Sequence, residues 1–222
     1  MFSPLGYIIV PVLSVLAAGT ILIGNLSALS QRNTKRLMGL SGVSHAGYLL
    51  MGVVASLAVP SAIVAVWFYL FTYLLASMAV FGVMAYVAGA DDTVQELDQY
   101  DKLARERPVL GAVLAVGVGS LAGIPPLAGF MGKLLIFVAA FQAQMYGLLL
   151  VAIIGVVLSI YYYFGWIKAA FFESWSPNPA AVPARPVPPA TPLAGRVVLG
   201  ALALATVMLG FFQAPLLHWL VP

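Results

Sequence analysis

GSLAGIPPLAGFMGKLLIF, Gly119 to Phe137, is the stretch whose reading decides the fold. It lies in an apolar run from Val109 to Phe141 whose only charge is Lys133. An ionisable group at the centre of a bilayer costs upward of ~2.5–3.5 kcal/mol. Pro125 and Pro126 interrupt the run. Neither has a backbone N–H to donate, and each biases the residue before it away from helix. Carbonyls freed this way are tolerated at membrane depth only when buried in protein or facing water. A helix break followed by a lone lysine fits an ion path inside a helix bundle. The competing reading is a lysine that snorkels to the interface from a kinked helix.

The composition around this stretch is that of an integral membrane protein. Of 222 residues, 63% are hydrophobic and 8% charged, and mean hydropathy is +1.04. A soluble domain carries roughly 25% charged residues. There is no cysteine, hence no disulfide framework, thiolate metal site or iron–sulfur cluster. A net charge of +3, spread along the chain, gives no nucleic-acid footprint. MFSPLGYIIV at the N-terminus lacks a positive n-region and an obvious cleavage site, so the first apolar run reads as a permanent span.

About 20 apolar residues cross the hydrocarbon as a helix, and six such segments follow in order. They are Gly6 to Leu29, Leu37 to Leu57, Ser61 to Val87, the broken run Val109 to Phe141, Tyr146 to Phe172, and Val197 to Leu220. Polar connectors separate them at QRNTKR (Gln31 to Arg36) and DDTVQELDQYDKLARER (Asp91 to Arg107). SWSPNPAAVPARPVPPATP (Ser174 to Pro192), rich in proline and alanine, reads as an extended loop. The expected fold is an all-α polytopic bundle, one membrane domain over residues 1–222, broken in its fourth segment at Ile124 to Pro126.

Charge placement argues that the broken run crosses once. Arg32, Lys35 and Arg36 lie in the first polar connector, and Lys102, Arg105 and Arg107 in the second. Lys168, Arg185 and Arg196 lie near or within the third. One crossing puts all of these on one side, as the positive-inside rule prefers. The loops at 91–107 and 174–192 are then cytoplasmic and both termini periplasmic. Trp166 and Trp219 near helix ends read as interfacial anchors. All seven acids lie in loops or at a helix end, so Lys133 has no carboxylate partner in the membrane part.

His45, in SGVSHAGYLL, is the second polar candidate at membrane depth. It follows Arg36 at a distance of about 13.5 Å along a helix. Ser41, Ser44 and Tyr48 share or flank its face. A histidine there is either a proton relay or a neutral hydrogen-bonding link between helices. In the third segment Tyr69 and Tyr73, at i and i+4, line a wet path or pack. Most of the remaining aromatics there, Trp67, Phe68 and Phe71, pack or face lipid. Asn25 reads as a polar contact between helices, and His218 as a solvated end residue. No phosphate loop, dinucleotide fingerprint or metal-ligand cluster is present in the sequence, so no cofactor is expected on this chain.

Two blocks carry a family resemblance: GNLSALSQRNTKRLMGLSGVSHAGYLLMG (Gly24 to Gly52) and SLAGIPPLAGFMGKLLIF (Ser120 to Phe137), with SIYYYFGWIKAAFFE (Ser159 to Glu173) further on. Together they resemble the antiporter-like proton-translocating subunits of respiratory complex I, most closely the subunit N branch. The resemblance implies that Lys133 is the central lysine of the broken helix in the second half-channel. It implies that His45 is a relay residue on the same hydrated axis. Where larger sister subunits carry histidines and a lysine in the third segment, this chain has Tyr69, Tyr73 and Ser77 in FYLFTYLLAS. Family members have about fourteen spans including two inverted five-helix repeats, so six spans resemble the C-terminal portion only.

The expected function is that of a proton-translocating membrane subunit of NADH-quinone oxidoreductase in a bacterial inner membrane, with no redox centre of its own. The implied partners are the other membrane subunits, the missing N-terminal half and the lipid bilayer. A subunit of a related cation/proton antiporter complex, or a scaffold whose channel residues no longer act, are the alternatives.

Overall fold

The protein is described from a computed structural model, which covers residues 6–89, 95–172 and 191–216. Among these residues the regular elements are all helices, joined by turns and short extended segments, apart from one isolated antiparallel bridge between Asn33 and Glu96. In chain order the long helices are α1 (Gly6–Leu29), α2 (Thr34–Ser56) and α3 (Ala62–Ala88). A 3-10 turn (Leu97–Tyr100) and the short α4 (Leu103–Glu106) follow. Then come α5 (Pro108–Ala122), α6 (Ala128–Gln142), α7 (Tyr146–Phe171) and α8 (Leu193–Phe211). Helices α1, α2, α3, α7 and α8 are each long and apolar enough to cross a membrane, while α5 and α6 are shorter apolar helices.

The run expected to be broken is broken. Helices α5 and α6 have 15 residues each, about 22 Å apiece, too short alone for a hydrocarbon core of about 30 Å. They lie end to end along α3. A Cβ on Gly117 of α5 would meet Val80 and Ala76, and one on Gly132 of α6 would meet Tyr69 and Thr72. Ala139, near the end of α6, clusters with Ala62 at the start of α3. The contacts retreat steadily down α3 as the chain advances. The two halves therefore run antiparallel to it as one interrupted segment.

Lipid supplies no hydrophobic drive between helices, so the bundle depends on close approach and polar links. The α1–α2 pair illustrates the first: a Cβ on Gly24 would lie 2.7 Å from the Ser44 backbone nitrogen. Two larger apolar clusters fill most of the interior beside the small one at Ala62 and Ala139. One gathers Leu37, Val83, Leu110, Leu114, Tyr163 and Trp166 with Tyr100 and Leu103 of the connector. The other gathers Ile21, Tyr48, Met51, Tyr69, Ile136 and Ala152. Trp67 and Phe71 are exposed on the outer face of α3, as expected, while Phe68 points inward.

Three expectations need correction. Trp166 is not an interfacial anchor: it is fully buried and stands edge-on to Tyr100, ring centroids 5.3 Å apart. The reason lies in the second polar connector, which is no open loop. Its 3-10 turn and α4 fold back over the bundle, and the Gln95 carbonyl accepts from the Thr34 amide at 2.7 Å and the Thr34 hydroxyl at 2.8 Å. The last helix starts and stops earlier than its apolar run. Pro192 sets an extended N-cap just ahead of Leu193, and Pro215 has no N–H for the Phe211 carbonyl. Most of the proline-rich stretch, with Arg185, and also His218 and Trp219 lie outside the described residues.

Candidate proton-relay site

The break between α5 and α6 is a complete exchange of backbone partners. A helix leaves its last four carbonyls without intrahelical donors. In α5 these belong to Gly119, Ser120, Leu121 and Ala122. Gly123 takes a left-handed conformation, φ 85°, which a residue without Cβ adopts freely. The turn then returns two donors. The Ile124 amide bonds the Gly119 carbonyl at 2.9 Å, and the Gly123 amide bonds that of Ser120 at 3.0 Å, a Schellman closure. The carbonyls of Leu121 and Ala122 would next look to the amides of residues 125 and 126. Both are prolines and have none.

Lys133 fills that vacancy. Its Nζ donates to Leu121 O at 2.7 Å and Ala122 O at 3.2 Å. The side chain is 3% exposed, and Nζ stands 5.3 Å from the centroid of the Tyr48 ring. The carboxyl end of a helix carries partial negative charge, which favours a cation. The lysine therefore does not snorkel: its amino group points inward to the broken helix end. No carboxylate is needed to explain its position.

The amino end of α6 is closed by a residue that the sequence reading passed over. Leu127, at its N-cap, has no side-chain oxygen. The Ser120 hydroxyl, from the last turn of α5, accepts from the Gly129 amide at 3.0 Å. A Cβ on Gly129 would collide with the Ser120 carbonyl. The available signal was a helix start with no capping residue between Leu121 and Ala128, which leaves Ser120 as the nearest hydroxyl.

His45 sits beside this break at the meeting of the two clusters. Its Nδ1 is hydrogen-bonded to the Tyr69 hydroxyl, and its Nε2 lies 3.4 Å from the Tyr163 hydroxyl. The Tyr73 ring is 4.8 Å away and the Tyr48 ring 6.2 Å, centroid to centroid. So the structure brings together every residue named from sequence: Lys133, His45, Tyr48, Tyr69 and Tyr73, with Pro125 and Pro126 behind the lysine. It adds Tyr162 and Tyr163 from α7, which sequence reading quoted only as part of a motif. Asn25 does bridge helices: its Oδ1 accepts from the Tyr162 hydroxyl at 3.0 Å. Ser41 and Ser44 are buried but satisfy themselves on α2 carbonyls. Buried Ser77 has no protein partner for its hydroxyl among the described residues.

Helix break, buried amine and hydroxyl–imidazole network form a layer of exchangeable protons across an otherwise apolar bundle. A family model described as NADH:quinone oxidoreductase/Mrp antiporter, transmembrane, matches residues 1–159. The chain belongs to this family. It is 62% identical to NADH-quinone oxidoreductase subunit N 1 of Opitutus terrae, over 100% of this chain and 44% of that protein. It is similar to a chain of respiratory complex I from Thermus thermophilus, at 31% identity and TM-score 0.79, covering 94% of this chain and 45% of that one. It is also similar to a chain of the Mrp complex from Dietzia sp., at 25% identity and TM-score 0.80, covering 95% and 46%. The chain thus spans less than half the length of the relatives it matches, and the match to the Opitutus protein falls on that protein's C-terminal portion.

Proposed function

We propose that this chain supplies the second half-channel of a proton-translocating membrane subunit of NADH-quinone oxidoreductase. Lys133 is its proton carrier and His45 a relay residue. The observation that carries the reading is the placement of the Lys133 amine on the two carbonyls that Pro125 and Pro126 leave free. Tyr48, Tyr69 and Tyr73 line the path between relay and carrier. Redox chemistry belongs to other subunits of the complex. The chain works with those membrane subunits and with the N-terminal half of its relatives, as one membrane domain in the cell membrane. Its termini face the periplasm, and its loops at 91–107 and 174–192 face the cytoplasm.

The likeness to a chain of the Mrp complex favours one other reading, a subunit of a cation/proton antiporter. Purification from native membranes in mild detergent, through a tag on this chain, separates the two. The expected preparation oxidises NADH with a quinone acceptor and, reconstituted, takes up protons as it does so. Sodium–proton exchange without NADH oxidation would favour the antiporter. A monodisperse monomer of this chain alone would sink both.

A further inference from the structure

A cleft of about 840 Å³ opens between the end of α1 and the end of α7, on the face that carries the polar connectors. Its walls are apolar, with Leu29 and Leu37 from the first two helices and Ile160 and Phe164 from α7. Gly165 keeps it open, since it lines the cleft and a Cβ there would meet no atom within 4 Å. The rim is basic. Arg32 and Lys168 both line the cleft, and no acid among the described residues does. Asp98 stands outside it, 3.7 Å from Arg32, in an exposed pair that costs little to open. Below the cleft the apolar surface continues. Leu26 and Ile23 follow Leu29 down one face of α1, and Val157 and Ile153 follow Ile160 down α7, by helical spacing. All four are exposed, between 45% and 66%.

Apolar walls under a basic rim suit neither water nor a neighbouring apolar helix. Water needs several polar partners to stay in a cavity, and these walls offer few. An apolar helix would cover the walls but bring nothing to balance two cations. A phospholipid carries both parts in one molecule. We infer that this cleft is a binding site for an anionic phospholipid of the bilayer, with an acyl chain between α1 and α7 and the phosphate on Arg32 and Lys168. The guanidinium can turn from Asp98 and hold two phosphate oxygens at once, while the ammonium adds a point charge. Basic pockets between transmembrane helices take anionic headgroups for this reason. The acyl chain continues down the exposed stripe of Leu26, Ile23, Val157 and Ile153. The inference requires only that α1 and α7 lie in a membrane. It does not depend on Lys133 carrying a proton.

The test uses the whole assembly in phosphatidylcholine vesicles that carry a trace of phosphatidylglycerol with a photoactivatable group in its acyl chain. The control probe is phosphatidylcholine with the same chain. Illumination, digestion and mass spectrometry then locate the label. The expected result is phosphatidylglycerol label on the peptides that contain Leu29 and Phe164, well above the label from the control probe. Arg32→Gln with Lys168→Gln, both at exposed residues, should lower the phosphatidylglycerol label about tenfold or more and leave the control unchanged. Gly165→Trp fills the cleft and should remove the label of both probes there. If Gly165→Trp fails to assemble, the charge pair decides. Lys133→Ala should keep the label, so the site stands or falls apart from the proton-translocating reading. Equal label from the two probes, or phosphatidylglycerol label that survives the charge pair, is bulk lipid alone and overturns the inference. No label on either peptide shows a cleft covered by protein and overturns it as well.

Discussion

At the scale of single residues, Gly123 and Lys133 are joined parts of one device. The left-handed turn at Gly123 ends α5 and aims two carbonyls at the lysine. A Cβ there would also sit 3.2 Å from Lys133 Cδ. Gly123→Ala should therefore cost about 1–2 kcal/mol from backbone handedness alone. It should also displace the lysine, so that pumping falls together with the thermal midpoint of the purified complex. Gly123→Asn, whose side chain tolerates that turn better, should recover part of the stability. An alanine variant as stable and active as the parent would show that the turn does not hold the lysine. The lysine and the histidine were legible in the sequence because a charge or an imidazole within an apolar run is costly and hence conspicuous. Ser120, Tyr162 and Tyr163 were not. A serine or a tyrosine costs little in such a run, and only the fold shows which of many meets a partner.

At the scale of the element, the broken segment owes its form to two absent donors. Pro125→Ala with Pro126→Ala would restore amides able to compete for the Leu121 and Ala122 carbonyls. The double variant should assemble, because it removes no buried contact of the site. It should pump less, because the lysine loses its hold on the helix end. Proton uptake per electron in vesicles of equal subunit content measures this, and unchanged uptake would separate the prolines from the site. The position of the break was readable from Ile124 to Pro126, and the one-crossing reading from lysine and arginine placement. The ends of α8 were not readable from hydropathy, because proline chemistry at 192 and 215 sets them inside or outside the apolar run. Trp166 misled for a related reason. An aromatic near a helix end is an anchor only if nothing covers it, and here Tyr100 does.

At the scale of the whole molecule, the account places the two polar connectors on one face of the membrane and the short apolar connectors on the other. The exposed pair Arg32–Asp98, 3.7 Å apart, ties the two polar connectors together and contributes little stability, as exposed pairs do. Single cysteines at Asp98 and at Ala58 should react with an impermeant reagent from opposite sides. Reaction of both from one side would break the topology.

The central claim is that Lys133 carries a proton through the membrane rather than merely closing a helix end. Proton uptake by inverted vesicles, normalised to electron transfer and to assembled complex, tests it most directly. Lys133→Ala should abolish or strongly reduce uptake while assembly survives. Lys133→Arg should also impair it, because arginine keeps its proton and cannot unload. His45→Ala should cost less, since a water can occupy the imidazole's place. Full proton uptake by Lys133→Ala would contradict the account and leave Lys133 a structural cap on α5.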